Sequence, residues 1–261
     1  SLDKAGEKLR KIYELYLKDQ DVKTYFAIVP DKNAWAFEAE GQNVINYSEL
    51  YARMQAETEN FASYIELDDL LDMESYYKTD AHWRQEKIYP VAQRIAEAMG
   101  CELTAEYDKA VANDSFIGAY GRQSDLAMEP EELIYLTNEA LDGCIVTDYA
   151  SADERNVTTG VYTIAKAASE DGEGYDMFLG GAKSLLTIEN PASTTDKELI
   201  IFRDSFGSSI APFFTECYRK VTLVDTRYLP SERVGKFVDF DRQDILFLYS
   251  VPVLNNSVML K

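Results

Sequence analysis

Apolar positions follow two rhythms along the chain. Leu9, Ile12, Tyr13, Tyr16 and Leu17 recur at helical spacing, which predicts an amphipathic helix over Lys4–Leu17. Asp19-Gln20-Asp21 ends it, and the β-rich run Val22–Val29 (VKTYFAIV) predicts a strand stopped by Pro30-Asp31. A second helix is expected over Ser48–Tyr64, capped by Ser48 ahead of an acidic first turn. A short strand at Tyr64–Leu67 and a helix over Arg84–Met99, closed by Gly100, come next. The last third repeats the alternation: strand Glu198–Arg203 (ELIIFR), helix Ser208–Arg219, strand Val221–Asp225, short helix Ser231–Lys236 and strand Asp244–Ser250 (DILFLYS). Strands apolar on both faces and separated by helices suit a parallel sheet covered on two sides.

The middle differs. From about Ser115 to Ile188 the runs are short, β-rich and punctuated by glycine, with hairpin arms expected at Cys144–Thr147 and Val157–Ile164. No internal repeat or low-complexity linker divides the chain. The expectation is one α/β domain over residues 1–261, a three-layer α/β/α sandwich around a central parallel sheet, with a small antiparallel β insertion at about 115–188.

Composition narrows the function. The chain has 261 residues and a formal net charge of −20, so phosphate backbones and anionic membranes are repelled and no nucleic-acid partner is expected. At 46% hydrophobic residues it has the material for a core, and wholesale disorder is excluded. No apolar run approaches the ~20 residues of a membrane span. The chain opens Ser1-Leu2-Asp3-Lys4 without an initiator Met, and reads as a segment whose leader or anchor lies outside it. Cys101, Cys144 and Cys217 are odd in number, far apart and without a C-x-x-C pair, so neither a disulfide framework nor a cysteine-rich zinc site is expected. There is one histidine, His82. Metal sites built on several histidines are thereby excluded, no metal or cofactor is expected, and any chemistry needing imidazole must use that residue.

Two segments carry the candidate chemistry. Asp204-Ser205-Phe206-Gly207-Ser208-Ser209 directly follows the strand ELIIFR. Ligands bind at the carboxyl ends of strands in open α/β sheets, and a serine there sits beside backbone N–H groups able to hold an oxyanion. The plainer reading is that Asp204 or Ser205 caps a helix. Thr79-Asp80-Ala81-His82-Trp83 precedes the expected helix near Arg84. A serine hydroxyl needs a base, and imidazole can serve; Asp80, two residues before His82, is placed to fix its tautomer. Here too the plainer reading is capping, with His82 solvated. Together the two segments supply the residue types of a Ser–His–Asp set.

At these residues the chain resembles the bacterial DHHW protein family, itself similar to the SGNH-type domains of alginate O-acetyltransferases and related cell-envelope acetyltransferases. The resemblance rests on YYKTDAHW (Tyr76–Trp83), TYFAIVPDKNAWAF, FIGAYG, YDMFLGGAKSLLTIEN, LIIFRDSFGSSIAPFFTECYRKVTLVDTRYL and DILFLYSVPVLNNS, which together run from Thr24 to Ser257. It implies an SGNH/flavodoxin-like fold with Ser205 as nucleophile, His82 as base and Asp80 as orienting acid. Ordinary SGNH hydrolases run serine first, so the order Asp, His, Ser implies circular permutation. The implied activity is that of an extracytoplasmic, secreted or anchored esterase or O-acetyltransferase. It would act on acetylated carbohydrate through an acyl-enzyme on Ser205, beside a membrane-bound acetyl-donor partner.

Three residues depart from the family pattern. Ala81 stands at the first motif histidine, Arg203 where simple SGNH enzymes have glycine, and Ala182 follows Gly180-Gly181 where Asn is expected. The Ser205 N–H is the first candidate oxyanion donor, with Asn255 or Asn256 beside it. Trp83 and Trp35 offer rings for sugar stacking or belong to the core. Arg227 binds a substrate carboxylate or sugar, or pairs with Asp225. Asp68, Asp69 and Asp72 lack the spacing of a calcium loop. N-x-Ser/Thr tripeptides at Asn46, Asn113, Asn156 and Asn255 matter only in a glycosylating source. The rival class is a non-catalytic carbohydrate-binding or envelope module on the same scaffold.

Overall fold

A computed structural model describes residues 2–35, 45–124, 127–150, 154–169 and 173–261. Ala36 and Phe37, which close the stretch TYFAIVPDKNAWAF, lie outside the described residues, as do 125–126, 151–153 and 170–172 of the expected insertion. Eight strands form one sheet. In chain order they are β1 (Lys23–Val29), β2 (Ser63–Ile65), then, beyond a separate hairpin of β3 (Asp108–Phe116) and β4 (Glu131–Thr137), β5 (Ile145–Asp148), β6 (Asn156–Thr159), β7 (Leu185–Glu189), β8 (Glu198–Arg203), β9 (Lys220–Val224) and β10 (Asp244–Ser250). Their spatial order is β2-β1-β10-β8-β9-β7-β5-β6.

The five strands β2, β1, β10, β8 and β9 pair in parallel, as their double-sided apolar runs require. Alternate residues feed two cores. Leu199 and Ile201 of β8, with Leu246 and Leu248 of β10, face one; Ile200, Phe202, Ile245, Phe247 and Tyr249 face the other. Helices α1 (Leu2–Ile12) and α2 (Tyr47–Thr58) cover the second face, and α3 (Tyr89–Ala98) the first. The three-layer α/β/α reading holds.

The sheet is mixed, not wholly parallel. β7 runs antiparallel to β9, β5 to β7, and β6 to β5, so most of the expected insertion extends the main sheet. Only β3 and β4 stand apart, and β3 begins at Asp108, ahead of the boundary read from the sequence. Helix starts also shift. Asn46 caps α2 in place of Ser48, its side chain accepting from Glu49 N. The expected helix from Arg84 begins as a 3-10 turn, Gln85–Lys87, and becomes α-helical at Tyr89, with Pro90 in the first turn. The expected helix Ser208–Arg219 is one α-turn, Gly207–Ile210, followed by a 3-10 stretch, Ala211–Glu216, because Pro212 offers no N–H to an α-helical ladder.

Cys101 and Cys217 are joined in a disulfide, with Cα atoms 6.2 Å apart, contrary to the reading that no disulfide follows from the sequence. An odd count hid it: Cys144 is the buried residue left over. The bond closes a loop with a sequence separation of 116 and ties the end of α3 to the segment after the Ser205 turn. Replacing both cysteines by serine is expected to lower unfolding stability by about 2–5 kcal/mol. Denaturant melts of the oxidised protein and the double variant test this; equal midpoints would refute it.

Candidate active site

β8 ends at Arg203, and the chain turns at once through Asp204 and Ser205. Buried Asp204 fastens the turn. Its Oδ1 accepts from Phe206 N (3.0 Å), and its Oδ2 accepts from the backbone N (2.7 Å) and hydroxyl (2.6 Å) of Ser250, at the end of neighbouring β10. Gly207 is required because a Cβ there would come within 2.8 Å of the Arg203 side chain. The Arg203 side chain packs against Gly207. It is fully buried, reaching the Lys183 carbonyl (3.4 Å) and lying 3.6 Å from Asp225.

The base loop folds back on itself as an irregular hairpin. Tyr76 bridges Trp83, and Tyr77 N donates to His82 O (3.1 Å). Across this hairpin His82 reaches in two directions: Nδ1 lies 2.6 Å from Asp80 Oδ1, and Nε2 lies 2.8 Å from Ser205 Oγ. With Asp80 accepting from Nδ1–H, Nε2 is left as acceptor for the serine proton. The His82 side chain is 20% exposed and that of Asp80 4%.

Three neighbours outside both motifs hold this loop. Asp80 Oδ2 accepts from Ala119 N (3.0 Å). Lys32, just beyond β1, donates its ammonium to the carbonyls of Tyr77, Lys78 and Asp80 (3.0, 3.2 and 2.9 Å). Glu131, at the start of β4, accepts from Lys78 N (3.0 Å), Thr79 N (2.8 Å) and the Thr79 hydroxyl (3.0 Å). Burial would push the Asp80 carboxyl pKa up. The hydrogen bond and charge of His82, with the amides of Ala119 and His82, outweigh it and hold the value below the ordinary carboxylate range.

Residues 19–224 match the sequence profile of the DHHW protein family. The chain belongs to the DHHW protein family. No curated protein sequence matches it significantly. Among solved structures, it is similar to a DHHW family protein from Eubacterium siraeum, at 17% identity and a TM-score of 0.73, over 97% of this chain and 85% of that one. It is similar to Bacillus cereus PatB1, at 21% identity and a TM-score of 0.76, over 97% and 91%. It is similar to the O-acetyltransferase domain of Pseudomonas putida AlgJ, at 12% identity and a TM-score of 0.56, over 97% and 83%. These likenesses give the DHHW chain its SGNH-like fold.

The other sequence candidates, Asn255, Asn256, Trp83 and Arg227, make no hydrogen bond to Ser205 or to the His82 ring among the described residues. Asn255 and Asn256 end a helical turn whose Val251, Val253 and Leu254 pack into the α1 face, whereas Trp83 and Phe206 pack into the opposite core. Neither asparagine bonds to the nucleophile turn among the described residues. Ser205 N, the first oxyanion candidate from the sequence, makes no hydrogen bond among the described residues, whereas the N–H groups of Phe206, Gly207 and Ser208 donate to Asp204 Oδ1, Asp204 O and Ser205 O. Trp83 is fully buried and donates to Ser209 Oγ (2.8 Å), so it cannot stack on a sugar. Arg227 chelates Asp225 through Nε and Nη2 (3.0 and 2.7 Å), the pairing alternative. Missed were Lys32, Glu131 and Ala119. The Asp31-Lys32-Asn33 turn and FIGAYG gave a local signal for two of them; nothing local marks Glu131.

A Cβ at Gly118 would overlap the Asp80 carboxylate. Gly118→Ala is expected to slow fluorophosphonate labelling of Ser205 about 10²-fold while the far-UV spectrum is kept; wild-type labelling would count against Asp80 as the orienting group. The depressed Asp80 pKa has a sign: its stabilisation is present above the unfolded carboxylate value of about 4 and is lost as pH falls through the lower native value. Between pH 6 and pH 2 Asp80→Asn should therefore lose less stability than wild type, measured by denaturant melts at each pH.

Proposed function

We propose that this DHHW protein is a serine-dependent esterase or O-acetyltransferase acting outside the cytoplasm on acetyl groups of cell-envelope carbohydrate. The observation that carries the reading is the unbroken line from Asp80 through the sole imidazole to the Ser205 hydroxyl, at 2.6 and 2.8 Å. Its geometry suits general-base activation of an alcohol. Ser205 Oγ attacks the acetyl carbonyl carbon as its proton passes to His82 Nε2. The tetrahedral intermediate, held by Ser205 N–H, collapses; the leaving oxygen takes that proton, and an acyl-enzyme remains. A sugar hydroxyl or water then gives its proton to His82 and attacks the acyl carbon; the new intermediate collapses by breaking the bond to Ser205 Oγ, which takes the proton back from His82, and the identity of the attacking hydroxyl decides between transfer and hydrolysis.

Two further facts support the class and the place. The fold is shared with an O-acetyltransferase domain. The Cys101–Cys217 disulfide suits an oxidising compartment. No described helix is long and apolar enough to cross a membrane. The rival reading, an inert binding module, draws on the missing polar side chains at Ala81 and Ala182 and on the thin set of oxyanion donors at the Ser205 turn.

Mass spectrometry after incubation with a serine-directed fluorophosphonate separates the two. Labelling is expected at Ser205, absent in Ser205→Ala, and at least about 10³-fold slower in His82→Ala. Release of acetate from p-nitrophenyl acetate should fall in parallel. A wild-type protein that is neither labelled nor active would leave the binding module as the reading.

A further inference from the structure

The imidazole of His82 has a third neighbour, Tyr175, the first residue of the stretch YDMFLGGAKSLLTIEN. The Tyr175 ring lies parallel to it, centroids 3.9 Å apart and planes 7° from parallel. A ring at that separation admits one imidazole plane, the plane that points Nδ1 at Asp80 and Nε2 at Ser205. Tyr175 is buried, packed by Phe178 (4.8 Å) and edge-on by Tyr77 (6.4 Å), and its hydroxyl donates to Ser209 Oγ (2.7 Å). Burial pushes the phenol pKa up, so the ring stays neutral and its hydroxyl stays a donor.

Ser209 joins the two halves of the site. Its fully buried hydroxyl accepts from both Tyr175 and Trp83 Nε1, the residue after His82, and lies 3.4 Å from the carbonyl of Phe206, the residue after Ser205. A hydroxyl has two lone pairs and one proton, so this one is fully used. The Phe206 ring in turn meets His82 at 5.0 Å and Trp83 edge-on at 5.4 Å. The stacked ring is thereby fixed to the base loop and the nucleophile turn at once.

We propose that Tyr175, anchored by Ser209, is a positioning residue whose π face stabilises the imidazolium formed when His82 takes the Ser205 proton. The idea rests on the reading of Ser205 and His82 given above, and it adds a source of charge stabilisation on the face of the ring that neither Asp80 nor Ser205 touches. Among the described residues only Asp80 bonds the ring as a carboxylate; Asp204 is turned onto Ser250, and Lys32 and Glu131 bind the loop's backbone. A desolvated cation over an aromatic face is stabilised enough to change a rate about tenfold.

The test replaces position 175 in the full chain and reads both kinetics and the imidazole itself. Tyr175→Phe keeps the face and should retain kcat within about twofold. Fluorinated phenylalanines at 175 keep ring size while draining its face of negative potential, and log kcat should fall with each added fluorine at unchanged KM. Tyr175→Leu should lower kcat about tenfold. The chain has one histidine, so a histidine-labelled sample gives imidazole signals from His82 alone. Those signals should lie upfield, in the shielding cone of Tyr175, in wild type and Tyr175→Phe, and move downfield in Tyr175→Leu.

Flat kcat across the fluorinated series would overturn the electrostatic role, and unshifted wild-type imidazole signals would overturn the stack. If Tyr175→Leu fails to fold, the fluorinated series decides alone. Ring-shifted signals in a wild-type protein that labels with no fluorophosphonate would sink the serine-enzyme reading, and the proposal with it, while confirming the stack as architecture.

Discussion

One imidazole must meet a hydroxyl 123 positions further along the chain, and the meeting is a single contact of 2.8 Å. Neither side of it lies in a regular element. Ser205 sits in the turn after β8, and His82 in a loop whose only strand-like feature is the Tyr76–Trp83 bridge. A contact this short tolerates little drift, so both loops have to be pinned by groups outside themselves. The turn is pinned by Asp204, whose carboxylate spans from β8 to Ser250 on β10. The loop is pinned by a cation on its carbonyls and a carboxylate on its amides. Lys32 holds Tyr77, Lys78 and Asp80 by their oxygens, while Glu131 holds Lys78 and Thr79 by their nitrogens. Opposite charges thus satisfy opposite ends of the same peptide groups, and a segment without a hydrogen-bond ladder keeps its shape.

This division explains what was legible in the residues alone. β1, β8, β9 and β10 announce themselves because burial on two faces leaves continuous apolar runs such as ELIIFR and DILFLYS, and no helix of that length competes. Asp80, His82 and Ser205 announce themselves by type and by their place at loop and strand end. Helix starts were less legible, because Pro90 and Pro212 trade α-turns for 3-10 turns without disturbing the apolar spacing. The Cys101–Cys217 pair was hidden by the third cysteine. Glu131 and Tyr175 were invisible for a different reason. Their roles depend on a fold that lays the hairpin and the segment before β7 against the His82 loop; Glu131 lies in no marked stretch, and the stretch that Tyr175 opens gives no sign of which of its residues meets the imidazole in a chain with 18 tyrosines.

A strongly acidic chain also has to keep its buried charges in balance. Arg203 and Arg227 converge on Asp225, which is fully buried, and Asp204 lies beside them with Ser250 as its partner. Burial disfavours the Arg227 cation, but the hydrogen bonds and charge of Asp225 more than compensate, and its pKa is raised. The cluster fixes the carboxyl ends of β8 and β9 relative to each other. Arg203 at the position before Asp-Ser is therefore an internal strut. Its side chain takes the space that Gly207 leaves free.

The segment from Asp108 to Glu189 first reads as an ornament on an α/β core, yet it supplies the site's second half. Ala119 gives the amide that holds Asp80 Oδ2, Glu131 clamps the loop and Tyr175 covers the imidazole. The parallel strands alone place Ser205 and its turn, but they leave the side of His82 away from Ser205 open to water. An exposed imidazole turns about its terminal torsion with little resistance. A ring bounded by a carboxylate at one nitrogen, a hydroxyl at the other and a stacked phenol on its face has one orientation. The segment from β3 to β7 thus holds the lone imidazole in one orientation toward Ser205, and that segment and the turn after β8 form one cluster.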